Sequence, residues 1–477
     1  VAAYNGPVIQ GARLVVVPLL LAALAGEAAA SQDPDPRDQA AEQALLDAAF
    51  RIDIQRIDVV FDLFPEESVV HARATTSFRM RPGQTRPLFH FTPAVTGTEV
   101  SLRLDGEPLD VGDEHDVRLV GFEGSTQVAL EAQRDLGPEE EHRLEAAYAL
   151  PLSDSYGRFY VNVNDILGRG NETRFPTLNT PHELAHHVIR FRVHGSRGYQ
   201  CLGSGLVTRT PAEDVQEWLL DTERDVASYT LMFFLAPAED VVVEERTVAG
   251  VDVRVMASSG TPIVEAFAQL EAWLPVLEGD LGPFPMPRGL SVVLTERGGG
   301  MEYYGATITS LQALRHEVFH MYFACSTIAS TYRDSWWDEA INMWHEFSLA
   351  PAYRAIDETY SSDMVGGRSP IGVGFDTRAY DEGARIFQAV AEGLGGRPAM
   401  IAYLRLLHQD RLFVPMTTMG LVGHLREATG LDVEERFLRW LYTVEPTTAA
   451  RAASPHVWLH QVDLTPPEAI RARYEVR

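Results

Sequence analysis

The chain has 477 residues, with 67 Asp and Glu against 40 Lys and Arg and a formal charge of −27. No lysine occurs, so all 40 of those cations are arginine. This balance argues against a nucleic-acid partner and against an anionic membrane surface, because both need basic faces. The missing lysine rules out Schiff-base chemistry, a lysine nucleophile and a Walker-type phosphate lysine. Most of the acidic excess reads as solvated surface. The two cysteines, Cys201 and Cys325, are too few for a disulfide framework or a cysteine-rich zinc site.

Residues 1–30 read as an export signal. Leu14 to Ala25 is an apolar run after Arg13, and Ala28-Ala29-Ala30 supplies a small-residue cleavage pattern. The run is shorter than the roughly 20 residues of a membrane span. The mature protein is therefore expected to be exported, periplasmic or extracellular, and without a transmembrane segment. Residues 31–51 form a polar linker leading into a short helix. From 52 to 245 the pattern is that of a β domain, with strands at Ile57 to Phe64, Val69 to Met80, Leu88 to Phe91, Val188 to Val193 and Ser228 to Phe234. Turn signals such as Pro82-Gly83, Asp105-Gly106 and Gly195-Ser196 separate them.

From 246 to 445 the pattern turns helical. Ile263 to Leu277 is helix-periodic, Leu290 to Leu294 is a short strand, and Leu311 to Ile328 runs without Gly or Pro at helical spacing. Ser335 to Leu349 is a further helix, with Ser335 and Asp338 as a capping box. Residues 360–377 are a long loop. Arg378 to Leu394, Pro398 to Gln409 and Val433 to Tyr442 are helical, and 446–477 is a tail.

The string His-Glu-x-x-His occurs twice. On a helix, positions i and i+4 share a face, so two imidazoles reach one zinc at about 2.0–2.1 Å while the intervening Glu can take a proton from water. His182-Glu183-Leu184-Ala185-His186 runs straight into the alternating segment Val188 to Val193. Strand geometry there sets the two histidines about 13 Å apart, too far for one ion. We read that copy as structural. His316-Glu317-Val318-Phe319-His320 lies inside a helix candidate, and Glu339 follows nineteen residues after His320 on the next one. Two packed helices can then present His316, His320 and Glu339 to one metal.

HExxH followed by eighteen residues and Glu is the gluzincin signature, and the wider sequence resembles the aminopeptidase N family of zinc aminopeptidases. Gly299-Gly300-Met301-Glu302-Tyr303 looks like that family's Gly-x-Met-Glu-Asn stretch. Leu281 to Pro287, Tyr380-Asp381-Glu382-Gly383, Gly430 to Tyr442, and Phe175-Pro176 with Ala227-Ser228-Tyr229 resemble further landmarks. The likeness runs from about residue 52 to 445. Tyr303 stands where the family usually has Asn, Ala340 replaces Gly after the third ligand, and Glu382 replaces Lys.

The resemblance implies an α+β multidomain fold. A β-rich sandwich or saddle domain would precede a mainly α thermolysin-like zinc peptidase domain; in a departure from the family, this chain is expected to lack the large helical C-terminal domain that normally encloses the cleft. It implies one Zn²⁺ on His316, His320 and Glu339, with Glu317 as general base and Tyr380 as hydrogen-bond donor to the oxyanion. Glu302 would bind the α-amino group of a peptide substrate, with Gly299, Gly300 and Met301 beside it. Two alternatives stay open. One is an endopeptidase of the same class; the other is a binding protein that kept the scaffold and lost turnover.

Overall fold

The structure, a computed structural model, describes residues 37–96, 98–122, 128–151, 159–162, 174–210, 215–258, 260–261, 263–296, 298–347, 353–368, 374–443 and 461–463. The expected signal (1–30), the start of the linker and most of the tail lie outside the described residues.

Helix α1 (Gln39–Phe50) begins at Asp38, whose side chain accepts the Ala41 N–H at 3.0 Å. Its buried Leu46 and Phe50, one helical turn apart, face the sheet that follows. Strand β1 (Ile52–Phe64) alternates buried and outward residues, but the parity changes partway. Ile52 and Ile54 point inward, and then Ile57, Val59, Phe61 and Leu63 do. A register shift against β2 (Val69–Met80) between Ile54 and Arg56 supplies the extra residue that flips the faces. β1 pairs in parallel with β3 (Leu184–His194), which in turn pairs antiparallel with β4 (Val215–Ala227). These four form the centre of an eight-stranded sheet.

A three-stranded and a four-stranded sheet pack with this large one. Phe191 of β3 stacks on Phe61 with ring centres 5.7 Å apart and meets Phe233 of the three-stranded sheet at 3.7 Å. Truncating such a buried ring to Ala costs about 3–5 kcal/mol.

A five-stranded sheet opens the second half. Its order is β5 (Val241–Val248), β6 (Val251–Ser258), β7 (Leu290–Leu294), β9 (Ala306–Thr309) and β8 (Gly300–Tyr303). The β5–β6 hairpin crosses residue 245, so the sequence boundary drawn there cuts through a strand. Helix α2 (Ile263–Leu281) packs its buried Ile263, Phe267, Leu270, Leu274 and Leu277 at helical spacing on that sheet. Beyond it come α3 (Leu314–Phe319), α4 (Trp336–Phe347), α5 (Glu382–Leu394), α6 (Arg397–Asp410), α7 (Thr418–Thr429) and α8 (Glu434–Tyr442). The result is the α+β arrangement expected, a β-rich half followed by a mainly helical one.

Two local expectations are corrected, and one helix is added. The helix drawn from Leu311 to Ile328 is regular only over Leu314–Phe319. Ala324 adopts φ 125°, and the Ser326 hydroxyl donates to the carbonyls of Met321 and Tyr322, so side chain and backbone compete for the ladder. The capping box at Ser335 does not form; its hydroxyl donates to the Tyr332 carbonyl instead, at 2.7 Å. Helix α7 was not expected at all. Cys201 and Cys325 are both free thiols. Among the described residues no helix is long and apolar enough to cross a membrane.

Candidate metal centre

Helix α3 is short, but it spans the turn that matters. His316 is its third residue and His320 follows at its C-cap in right-handed helical conformation, φ −60° and ψ −14°. The i, i+4 rule therefore holds, and the two Nε2 atoms approach to 3.2 Å. Glu339 comes from the first turn of α4, and its Oε2 lies 3.0 Å from His316 Nε2 and 3.3 Å from His320 Nε2. A tetrahedral ion with ligands at about 2.0–2.1 Å spaces their atoms about 3.3 Å apart. The three donor atoms therefore already lie at the spacing of one face of a zinc tetrahedron.

Groups behind the ligands fix their orientation. His320 Nδ1 donates to the Phe323 carbonyl at 2.9 Å, which turns Nε2 towards Glu339 and His316. His316 Nδ1 faces Glu346 Oε2 at 3.5 Å, and Asn342 Nδ2 donates to the His316 carbonyl at 2.9 Å. Burial works against charging His316, but Glu339 and Glu346 outweigh it and raise the imidazole to about 9. His320 is raised too: burial opposes the proton, and Glu302 and Glu339 prevail. For Glu339 burial is likewise overcome, and the two imidazoles hold its carboxyl well below the ordinary range. The locus attracts positive charge, and the donor set of two imidazoles and a carboxylate suits zinc.

Glu317 projects from α3 towards the edge strand β8. A methyl group added at Gly300 would stand 2.6 Å from Glu317 Cγ and Oε1, so only glycine lets the carboxylate lie against that strand. Burial, aided by the charge of Glu302, pushes the Glu317 carboxyl up to about 8. Glu302 sits in β8 itself, and Glu302, Glu317 and His320 offer ligand atoms within 4.8 Å of one another. Burial raises its carboxyl, against the pull of His320. Gly299 precedes the strand with φ 88° and accepts the Ser310 N–H at 2.9 Å. Met301 pairs with Ile308 of β9.

Tyr380 closes the other side. Its hydroxyl donates to Glu339 Oε1 at 2.6 Å, and its ring lies near-parallel to that of His316. The sequence reading gave it to the oxyanion; the structure aims it at a metal ligand. The α5 helix that follows can come close because Gly383 has no Cβ, which would meet Ala340 Cβ at 2.7 Å. The side chains of Glu302, His316, Glu317, His320, Glu339 and Tyr380 gather on this one locus, whereas Met301, the strand neighbour of Glu302, packs with Ile308 against a separate apolar cluster.

Sequence reasoning missed Asn342 and Glu346. They stand three and seven residues after Glu339 on the same helix, so their shared face was readable from spacing. The Phe323 carbonyl has no such signal, because the turn that presents it follows from the break at Ala324. The first HExxH string contributes nothing to this site. His182 Nδ1 is 2.8 Å from the Thr180 hydroxyl, and His186 bridges Arg56 and Asp221.

No family model and no curated protein matches the sequence, but solved structures match the fold. A mutant M1 zinc metallopeptidase from Deinococcus radiodurans, bound to a Tyr-Ser-Ala substrate, aligns with a TM-score of 0.58 at 20% identity, covering 83% of this chain and 95% of that one. Legionella pneumophila aminopeptidase A in complex with aspartic acid gives 0.64 at 14% identity, over 82% and 49%. Native yeast LTA4 hydrolase gives 0.61 at 12% identity, over 84% and 70%. The fold of this chain is that of the M1 zinc metallopeptidases.

Proposed function

We propose that the chain is an exported, zinc-dependent aminopeptidase that removes N-terminal residues from peptides. The observation that carries this reading is the position of Glu302. A half-buried carboxylate on the edge strand lies within 4.8 Å of Glu317 and His320, beside the three donors of the metal centre. A peptide ammonium paired with Glu302 leaves the first peptide bond of the substrate over the metal ligands.

His316, His320 and Glu339 would hold the zinc, which when bound polarises a carbonyl and makes a nearby water more acidic. Glu317 accepts the proton of the attacking water and returns it to the leaving amine. Its packing against Gly300 keeps the carboxylate between β8 and the imidazoles, where both transfers occur. Glu302 anchors the free amino group, so a blocked N-terminus loses its main contact. The apolar run and the small-residue pattern in residues 1–30 support export.

The test is a peptide-library digest read by mass spectrometry, with and without a chelator. Residues should be lost one by one from free N-termini, only when metal is present, and N-acetylated peptides should survive. Equal cleavage of free and acetylated peptides would remove Glu302 from its role and point to an endopeptidase. No cleavage by zinc-loaded protein would point to a binding protein.

A further inference from the structure

We infer that Tyr380 is a positioning residue for the metal: its hydroxyl fixes which oxygen of Glu339 faces the ion. This rests on the zinc reading of the same site. The two oxygens of Glu339 have different neighbours. Oε2 faces both imidazoles, at 3.0 and 3.3 Å, while Oε1 takes the Tyr380 hydrogen bond at 2.6 Å. The terminal torsion of a Glu side chain is soft, so nothing intrinsic holds the carboxylate plane. The phenol supplies that restraint and keeps Oε1 turned away from the imidazoles.

The hydroxyl itself is held from outside the ligand helices. Asp376 accepts the Arg378 N–H at 3.0 Å and binds the Arg378 guanidinium at 2.7 Å, and the same guanidinium reaches Asp363 at 2.8 Å. The turn that ends at Tyr380 is therefore tied to two carboxylates. Phe375 and His316 flank the Tyr380 ring, at 6.0 and 6.3 Å between centres. A phenol carries one hydrogen. That hydrogen cannot serve Glu339 Oε1 and a developing oxyanion together, so the two uses of Tyr380 alternate. With no substrate bound the hydroxyl secures the ligand; donating to substrate requires it to leave Oε1.

The experiment measures zinc affinity, not turnover. Metal-free wild type and Tyr380→Phe are titrated with zinc against a chromogenic chelator, and the same pair is made in a Glu339→Ala background. The Phe ring keeps its packing on His316 and Phe375, and circular dichroism with thermal melting of the metal-free proteins checks the fold. We expect Tyr380→Phe to raise the zinc Kd about 10–100-fold, the range for losing an outer partner of a metal ligand. In the Glu339→Ala background the same change should shift Kd less than about twofold, because both carboxylate oxygens are gone. A Kd unchanged by Tyr380→Phe, or an equal shift in both backgrounds, overturns the inference and leaves the peptidase reading standing. If wild type itself binds no zinc, the peptidase reading fails first.

Discussion

The segments 182–186 and 316–320 carry the same three letters at the same spacing and share nothing else. In the first, His182 lies in a turn against the Phe50 ring, with centres 4.9 Å apart, while His186 sits on β3 between Arg56 and Asp221. Its glutamate points inward: Glu183 accepts the Ile54 N–H and the Arg81 guanidinium, and burial raises its carboxyl to about 7 in spite of that cation. In the second segment one helical turn aims both imidazoles at Glu339, and the intervening glutamate turns to the edge strand. The backbone period alone decides whether the string makes a metal site or a domain-internal ion pair.

Paired substitutions sharpen this contrast. Glu317→Gln should lower kcat about a thousandfold, roughly 4 kcal/mol, with zinc content unchanged. Glu183→Gln should keep kcat within about twofold, since it touches no part of the centre. Initial rates on a free peptide, with elemental analysis of each protein, compare the two; equal losses would erase the distinction. The next effect falls on stability. Arg81→Met leaves Glu183 buried without its cation and should cost on the order of 3 kcal/mol in urea melts, while the zinc Kd stays at its wild-type value.

Gly300→Ala reverses that pattern. The new methyl displaces Glu317, so kcat should fall about a hundredfold while zinc and melting temperature are retained.

Acid gives a smaller separation. His90 accepts the Asn179 N–H on Nδ1, and His187 meets the Ser228 hydroxyl at 2.8 Å. Burial lowers these two imidazoles to about 4 and about 3. Both folded values lie below the ordinary 6.5, so the unfolded chain gains protons first as pH falls. Their stability is complete above pH 6.5 and drains away below it. At pH 5 each should cost about 2 kcal/mol. Urea midpoints between pH 7 and 5 test this, and His187→Gln should flatten the slope.

Much of the site was legible because its signal is periodic. His316, His320 and Glu339 follow from helix geometry and one fixed spacing, and the strands of the β half from alternation. Illegible features came from tertiary contacts. The bulge at Ile54 and Arg56 depends on the partner strand, so β1 looked shorter than it is. The run after Phe319 had helical composition, yet Ser326 and Ala324 unwind it to bring the Phe323 carbonyl to His320. Helix α7 was hidden by Gly420 and Gly423, although Thr417 caps its start at 3.0 Å and Gly430 ends it with φ 75°. Tyr380 was found, but its partner was not, since no sequence pattern tells a phenol which of two acceptors it will meet.

The two ends of helix α1 are secured by different halves of the molecule. Its last turn belongs to the β half, through Asp47 on Arg81 and Phe50 beside His90. Its first turn belongs to the helical half, because buried Glu42 pairs with Arg333, just ahead of α4, at 3.0 Å. During synthesis α1 leaves the ribosome before any of these partners exists. The contacts of its two ends lie far apart in the sequence, and the second is complete only with the stretch that also carries Glu339. Among the described residues, the first helix in the chain is thus held at one end by the β half and at the other by the stretch that also carries Glu339.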